Sequence, residues 1–139
     1  MAAGQALGIT LDEAREVITA AEKKAGEIGQ PMNIAVVDAG NNLLAFARMT
    51  GAWLGSIDIA MNKAFTARAF DLPTIDLADN AQPGQQFYGI HVSNGGKVMI
   101  FAGGIPLKRG GQVVGAVGVS GGAKPQDQAV AEAGAAAIR

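Results

Sequence analysis

Residues 112–119 have the sequence Gln-Val-Val-Gly-Ala-Val-Gly-Val, in which small and β-branched residues follow one another almost without a polar residue. A strand with one face in water alternates apolar and polar residues, whereas a strand that is buried on both faces is apolar throughout. We therefore predict that residues 112–119 form a central strand of a β-sheet. The glycine-rich turn at 109–112 precedes this strand, and a short strand at 105–108 leads into the turn.

Two earlier regions also have strand character. Residues 33–38 are rich in β-branched side chains, and after the turn Ala-Gly-Asn-Asn at 39–42 a second apolar run covers residues 43–49. Two such runs around a short turn predict a β-hairpin. A further strand is predicted at residues 97–102, so the sheet would contain about five strands.

Three helices are predicted from capping residues and apolar spacing. Thr10 and Glu13 form a capping-box pattern, and apolar residues at helical spacing extend this first helix over residues 10–28. The second helix is predicted over 56–69, with its first residue, a serine, as the cap. The last helix is predicted over 125–138, because it opens with a proline and continues through an alanine-rich stretch.

The connection at residues 71–96 contains two prolines and four glycines. Such a segment predicts a long loop with one or two short helical turns. The element order is therefore helix, hairpin, helix, loop, three strands and helix. This order favours an α+β fold with an antiparallel sheet and flanking helices. With a length of 139 residues we expect a single domain over residues 1–139.

The composition excludes several classes of protein. Hydrophobic residues make up 49% of the chain and charged residues 17%, so the chain has enough apolar surface to form a core and is not disordered. The 11 basic and 12 acidic residues are scattered, and we therefore expect no nucleic-acid partner. The absence of cysteine excludes disulfides, thiolate metal sites and cysteine nucleophiles.

Two features of the sequence bear on localisation. Residues 1–5 lack the basic start of a signal peptide, and no apolar run approaches the roughly 20 residues that cross a bilayer. We therefore expect a cytoplasmic protein with no membrane partner.

Residues 118–122, Gly-Val-Ser-Gly-Gly, match the nucleophile elbow of α/β-hydrolases and lie between a predicted strand and a predicted helix. That mechanism needs an acid and then a histidine later in the chain, and no histidine follows Ser120. A tight turn that requires glycine is the better interpretation. The same turn offers backbone amides to an anion at the start of the last helix, unless Asp127 occupies that end itself.

Four further polar residues are candidates for a site. His91 is the only histidine, and in its glycine-rich loop it is a candidate haem ligand, a candidate general base or a surface residue. Lys63 and Thr66 are three residues apart on the second helix, so they share a face that either lines a cleft or is solvated. Arg48 is open to the same two interpretations. One histidine and scattered carboxylates provide no catalytic zinc or di-iron site, and we expect no such metal.

Five short motifs occur in the same order and spacing as in a known family. In chain order they are Val36-Val37-Asp38-Ala39-Gly40, Arg48-Met49-x-Gly51-Ala52, Lys63-Ala64-x-Thr66-Ala67, Gly103-Gly104-Ile105-Pro106 and Gly115-Ala116-Val117-Gly118-Val119-Ser120-Gly121-Gly122. With these motifs the chain resembles the GlcG/HbpS/PduO C-terminal-domain family over nearly its whole length. It departs from the family pattern at Asn41, Thr50 and Gln128, where a turn glycine and two acids are usual.

The resemblance implies an α+β domain that assembles into homo-oligomers. Members of the family are described as haem-binding or haem-degrading, and they occur beside glycolate and propanediol utilisation functions or with an extracellular redox sensor. The resemblance therefore implies haem as a cofactor. The motif residues that it carries over as cofactor-binding candidates are Arg48, Lys63, Thr66 and Ser120.

Three functions are compatible with these residues and with the resemblance. The first is a haem or tetrapyrrole binder, with Arg48 or Lys63 meeting the propionates. Its predicted apolar walls are Met49, Met61, Phe65 and Phe101. The second is an enzyme or accessory protein for a small carbonyl compound or aromatic acid in a catabolic operon, with Lys63, His91 or Asp127 as catalytic acid or base. The third is a purely structural assembly module.

Overall fold

A computed structural model of the protein describes residues 8–139, and residues 1–5, on which the prediction of a missing leader rests, lie outside the described residues. The main elements are α1 (Leu11–Ile28), β1 (Asn33–Asp38), β2 (Leu43–Arg48), α2 (Gly55–Phe70), α3 (Thr74–Asn80), β3 (Gly104–Arg109), β4 (Gln112–Ser120) and α4 (Lys124–Ala135). The long connection holds two short 3₁₀ turns, Ile90–Val92 and Asn94–Gly96. Within residues 8–139, no helix is both long and apolar enough to span a bilayer.

The four strands form one antiparallel sheet in the order β2-β1-β4-β3. β4 pairs with β1 on one side and with β3 on the other, which confirms that the apolar run at 112–119 is a central strand. Val36 of β1 lies opposite Val117 of β4, and Asn33 lies opposite Ser120 at the end of the ladder. The predicted α+β class with an antiparallel sheet is confirmed.

The prediction of about five strands is wrong, because residues 97–102 form no strand. Thr66 of α2 instead binds the backbone at the start of this segment. The Thr66 hydroxyl donates to the carbonyl oxygen of Asn62 at 2.7 Å and accepts from the backbone N–H of Met99 at 2.9 Å. A backbone donor that is bound to a helix side chain is not available to a neighbouring strand. The segment is only partly buried: Val98 is 1% exposed, whereas Phe101 is 54% exposed.

Helices cover both faces of the sheet. α2 lies on one face, where it packs against β4, β1 and β3, and α1 and α4 pack against each other on the other face. Gly118 makes the close approach of α2 possible, because a Cβ at this position would overlap the carbonyl oxygen of Ala60 and the backbone nitrogen of Ala64. The alanines on the inner face of α2 serve the same close packing: Ala60, Ala64 and Ala67 are each 0% exposed.

The helix ends agree with the predictions in α1 and differ in α2 and α4. The capping box is formed: the Thr10 hydroxyl accepts from the Glu13 N–H at 3.2 Å, and the Glu13 carboxylate accepts from the Thr10 N–H at 3.0 Å. Ser56 was predicted to cap α2, but it lies inside the first turn and its side chain makes no capping bond. α4 ends at Ala135, and Ile138 is bonded three residues back, as in a tighter turn.

Candidate functional site

An open cavity of about 590 Å³ lies where α2, the segment before β3 and the turn between β4 and α4 meet. Side chains on one stripe of α2, at spacings of three and four residues, form one side: Ser56, Ile59 and Lys63. The lining also includes Ile100 and Phe101 from the segment before β3, Ser120, Gly122 and Asp127 from the end of β4 and the start of α4, and Ala78, Asp79 and Gln82 from α3 and the residues after it. Trp53 lies at the mouth with 62% of its surface exposed.

Lys63 and Asp127 form a buried ion pair at the floor of this cavity. The Lys63 Nζ donates to Asp127 Oδ2 at 2.8 Å and to the carbonyl oxygen of Val119 at 2.9 Å. The two side chains are only 2% and 7% exposed. The other oxygen of Asp127 accepts from the backbone N–H of Gly122 at 2.8 Å. Asp127 therefore binds the turn before α4 and Lys63 at once, and the pair joins α2, β4 and α4.

Burial moves both ionisation equilibria of the pair toward the neutral forms. Desolvation lowers the pKa of Lys63 below 10.5, although the nearby Asp127 charge acts in the opposite direction. Desolvation likewise raises the pKa of Asp127 above 3.8, against the effects of Lys63 and of the backbone amides at Gly121 and Gly122. A carboxylate and an amine with such shifts at the floor of a cavity are typical of sites where protons or ligands are handled.

The sign of the Lys63 shift predicts a pH dependence of stability. Between the lowered folded pKa and 10.5, the unfolded chain holds more protons on Lys63 than the folded chain does, so the free energy of unfolding rises with pH in that window. We expect this rise in urea titrations of the wild type, relative to a Lys63→Met/Asp127→Asn variant that lacks both groups. If the free energy of unfolding of the wild type, relative to that of the variant, falls as the pH increases toward 10.5, the pKa of Lys63 is not lowered by folding.

The structure brings three of the predicted site residues together: Lys63, Ser120 and the catalytic candidate Asp127 line the same cavity. It places the other three elsewhere. Thr66 is 0% exposed and holds the segment at 97–99, Arg48 is exposed at the end of β2, and His91 is exposed beside Tyr88, with ring centroids 6.1 Å apart. Their roles in binding or catalysis stay predictions.

Of the four predicted apolar wall residues, Phe101 lines the cavity. Met49 packs against the core on the α1 side, Met61 packs against the alanines of α2, and Phe65 lies under Lys97, whose Nζ is 5.3 Å from the ring centroid. Within residues 8–139, no group of three or more histidine or carboxylate side chains is arranged to hold a metal ion.

Sequence reasoning missed Ser56, Ile59 and Trp53 as members of the site. Ser56 and Ile59 precede Lys63 by seven and four residues, a spacing that places all three on one helical stripe. That spacing could have identified the first two. Nothing local could have identified Trp53, which reaches the cavity because its carbonyl oxygen accepts from the Asn33 side-chain amide at 2.9 Å.

Two curated relatives cover most of this chain. A Citrobacter freundii protein named "Uncharacterized 15.0 kDa protein in dhaT-dhaS intergenic region" is 44% identical over 124 residues, which are 89% of this chain and 87% of that protein. The "Corrinoid adenosyltransferase PduO" of the same organism is 38% identical over 133 residues, which are 96% of this chain but 40% of that protein. The chain thus spans less than half the length of this second relative.

A solved structure described as "Crystal Structure of PduOC:Heme Complex" superposes with a TM-score of 0.91 at 34% sequence identity and covers 96% of each chain. A family model described as "Haem degrading protein HbpS-like" matches residues 9–136. Because this match includes every strand and helix of the fold, the chain belongs to the HbpS-like family.

Proposed function

We propose that this protein binds a tetrapyrrole in the open cavity at the floor of which Lys63 and Asp127 lie. The observation that carries the proposal is the similarity over 96% of both chains to a structure described as a haem complex. The family description, which names haem degradation, supports the same class of ligand. A cytoplasmic location and assembly into homo-oligomers are part of the proposal and stay predictions.

The residues of the cavity fit the body of a tetrapyrrole. The volume of about 590 Å³ lies within the range of about 300 to 1,000 Å³ that is usual for small-molecule and cofactor sites. Phe101 and Trp53 are 54% and 62% exposed, and such aromatic side chains at the mouth provide flat apolar surface for a macrocycle. Lys124, exposed at the same mouth, supplies positive charge for propionate groups.

The cavity does not fit the iron of haem as well as it fits the macrocycle. Haem iron is ligated in proteins by histidine, cysteine, methionine or tyrosine, and among residues 8–139 none of those that line the cavity is of these types. Bound haem would supply redox chemistry at its iron. Recognition by the residues of this chain therefore rests on the apolar walls and on the carboxylates of the ligand.

If the residues of the cavity recognise the macrocycle and its carboxylates, metal-free protoporphyrin IX should bind about as tightly as haemin. Both ligands can be titrated into the protein and followed by absorbance and by quenching of Trp53, which is the only tryptophan of the chain and lies at the mouth of the cavity. We expect dissociation constants within about threefold of each other, because the iron adds no bond inside the cavity. No binding of either ligand would contradict the proposed function.

Three variants test whether the ligand binds in the cavity or elsewhere on the protein. Phe101→Ala removes a wall residue and should weaken both ligands about tenfold, whereas Phe87→Ala removes a similarly exposed phenylalanine that does not line the cavity and should leave both affinities unchanged. His91→Ala should also have no effect. If His91→Ala abolishes haemin binding while protoporphyrin fails to bind the wild type, the ligand binds at His91 and the proposed location is wrong.

A further inference from the structure

Two hydroxyl groups in the lining of the cavity have no bonding partner among the residues that the structure describes. Ser56 and Ser120 are 4% and 5% exposed, and both line the cavity beside Lys63. Within residues 8–139 neither side chain makes a hydrogen bond to a protein atom, although neither hydroxyl is sealed away from the cavity. Buried polar groups in proteins nearly always have partners, so a ligand or an ordered water is expected to bind them.

Lys63 adds a third donor at the same place. An ammonium group has three N–H bonds, of which Asp127 and the carbonyl oxygen of Val119 accept two. Both carboxylate oxygens of Asp127 are already occupied, one by Lys63 and one by the Gly122 N–H. The buried polar groups of the cavity therefore offer hydrogen-bond donors without a free carboxylate oxygen, and the charge of Lys63 is balanced by its partner. The other carboxylate in the lining, Asp79, is exposed.

An oxygen with lone pairs is the ligand group that such a floor recognises. A cationic head group could donate to the serine oxygens, but like a purely apolar group it would leave the serine and lysine hydrogens unpaired, which costs free energy in a buried place. Ile59 and Ile100 line the same cavity and provide apolar surface for the carbon skeleton that carries the oxygen.

We propose that the Ser56, Ser120 and Lys63 side chains form a binding site for the carbonyl or carboxylate oxygen of a small molecule with an apolar skeleton. Both oxygens accept hydrogen bonds in the same way, so one site serves aldehydes, ketones and carboxylic acids. This site rests on the cavity and its donors alone, and it holds or fails independently of tetrapyrrole binding. Ser56 and Ser120 are binding residues in this proposal, and Lys63 both binds the oxygen and holds the floor together.

Three fluorinated probes of equal size test the proposal by ¹⁹F NMR titration of the 139-residue chain. 4-Fluorobenzoate carries a carboxylate, 4-fluoroacetophenone a neutral carbonyl, and 4-fluorobenzylamine a cation that cannot accept a hydrogen bond. We expect one or both of the oxygen probes to bind and the amine to bind at least tenfold more weakly, because it leaves the donors unpaired. Binding of benzoate alone or of acetophenone alone supports the site and identifies the charge state that it prefers.

Serine variants provide the matched controls. Ser56→Ala and Ser120→Ala each remove one hydroxyl from the floor and should weaken the oxygen probes several-fold, and the double variant about tenfold or more. Ser93→Ala changes the only other serine, which is exposed and bonds to the Ile90 carbonyl oxygen, and should leave affinity unchanged. The two single variants keep the test decisive if the double variant does not fold. No binding by any probe, equal binding by the amine, or affinity that is insensitive to both floor serines would overturn the proposal.

Discussion

The Lys63→Met variant is expected to unfold with a free energy about 3 to 5 kcal/mol below that of the wild type. Methionine fills most of the space of lysine, but it leaves the Asp127 carboxylate, which is only 7% exposed, without its 2.8 Å partner. It also leaves the Val119 carbonyl oxygen without its bond from Lys63. Removing one member of a buried ion pair costs far more than the pair contributes, because an uncompensated charge stays in the interior. Urea unfolding followed by circular dichroism measures the loss.

The double variant Lys63→Met/Asp127→Asn separates this effect from a loss of packing. Asparagine keeps an oxygen that can accept from the Gly122 N–H and removes the buried charge. We expect the double variant to be more stable than Lys63→Met alone by about 2 kcal/mol, as found for residues that interact directly. If the double variant is no more stable than Lys63→Met alone, the buried-charge explanation is wrong.

Gly118→Ala is expected to destabilise the protein by about 2 to 3 kcal/mol. The added Cβ would overlap backbone atoms of Ala60 and Ala64 in α2, and backbone atoms cannot move aside as a flexible side chain can. α2 would have to shift away from β4, and the stripe formed by Ser56 and Lys63 would shift with it. Ligand affinity in the cavity should therefore fall together with the free energy of unfolding, which the same urea titration measures.

Gly26→Ala is the matched control for this substitution. Gly26 lies inside α1, and a Cβ at this position would meet nothing within 4 Å. Because alanine is the better helix former by about 1 kcal/mol, the variant should be as stable as the wild type or slightly more stable. A loss at Gly26 equal to that at Gly118 would show that the close approach of α2 is not the cause.

Much of the fold could be predicted from the sequence because its signals are local. The capping box at Thr10 and Glu13 involves residues three apart, and the uniform apolar run at 112–119 follows from burial on both faces of a strand. The same local reasoning failed at residues 97–102, where the backbone is bound by Thr66 of α2 instead of pairing with a strand. Periodicity reports that a segment is buried, and it does not report which element buries it.

The candidate site was only partly predictable, because its parts are distant in the chain. Lys63 and Asp127 are 64 residues apart, and their side chains meet only because α2 and α4 pack against opposite faces of one sheet near the end of β4. Thr66 is a polar residue three positions after Lys63 on α2, so the sequence favoured a place in the cleft. Its hydroxyl instead donates to the Asn62 carbonyl oxygen and accepts from the Met99 N–H. The amino-acid sequence by itself determined the helices, four of the strands, the α+β class and the family pattern, since these depend on neighbouring residues. Which polar side chains face a cavity and which are consumed inside the protein was decided only by tertiary packing, because hydrogen bonds and desolvation depend on groups that come together after folding.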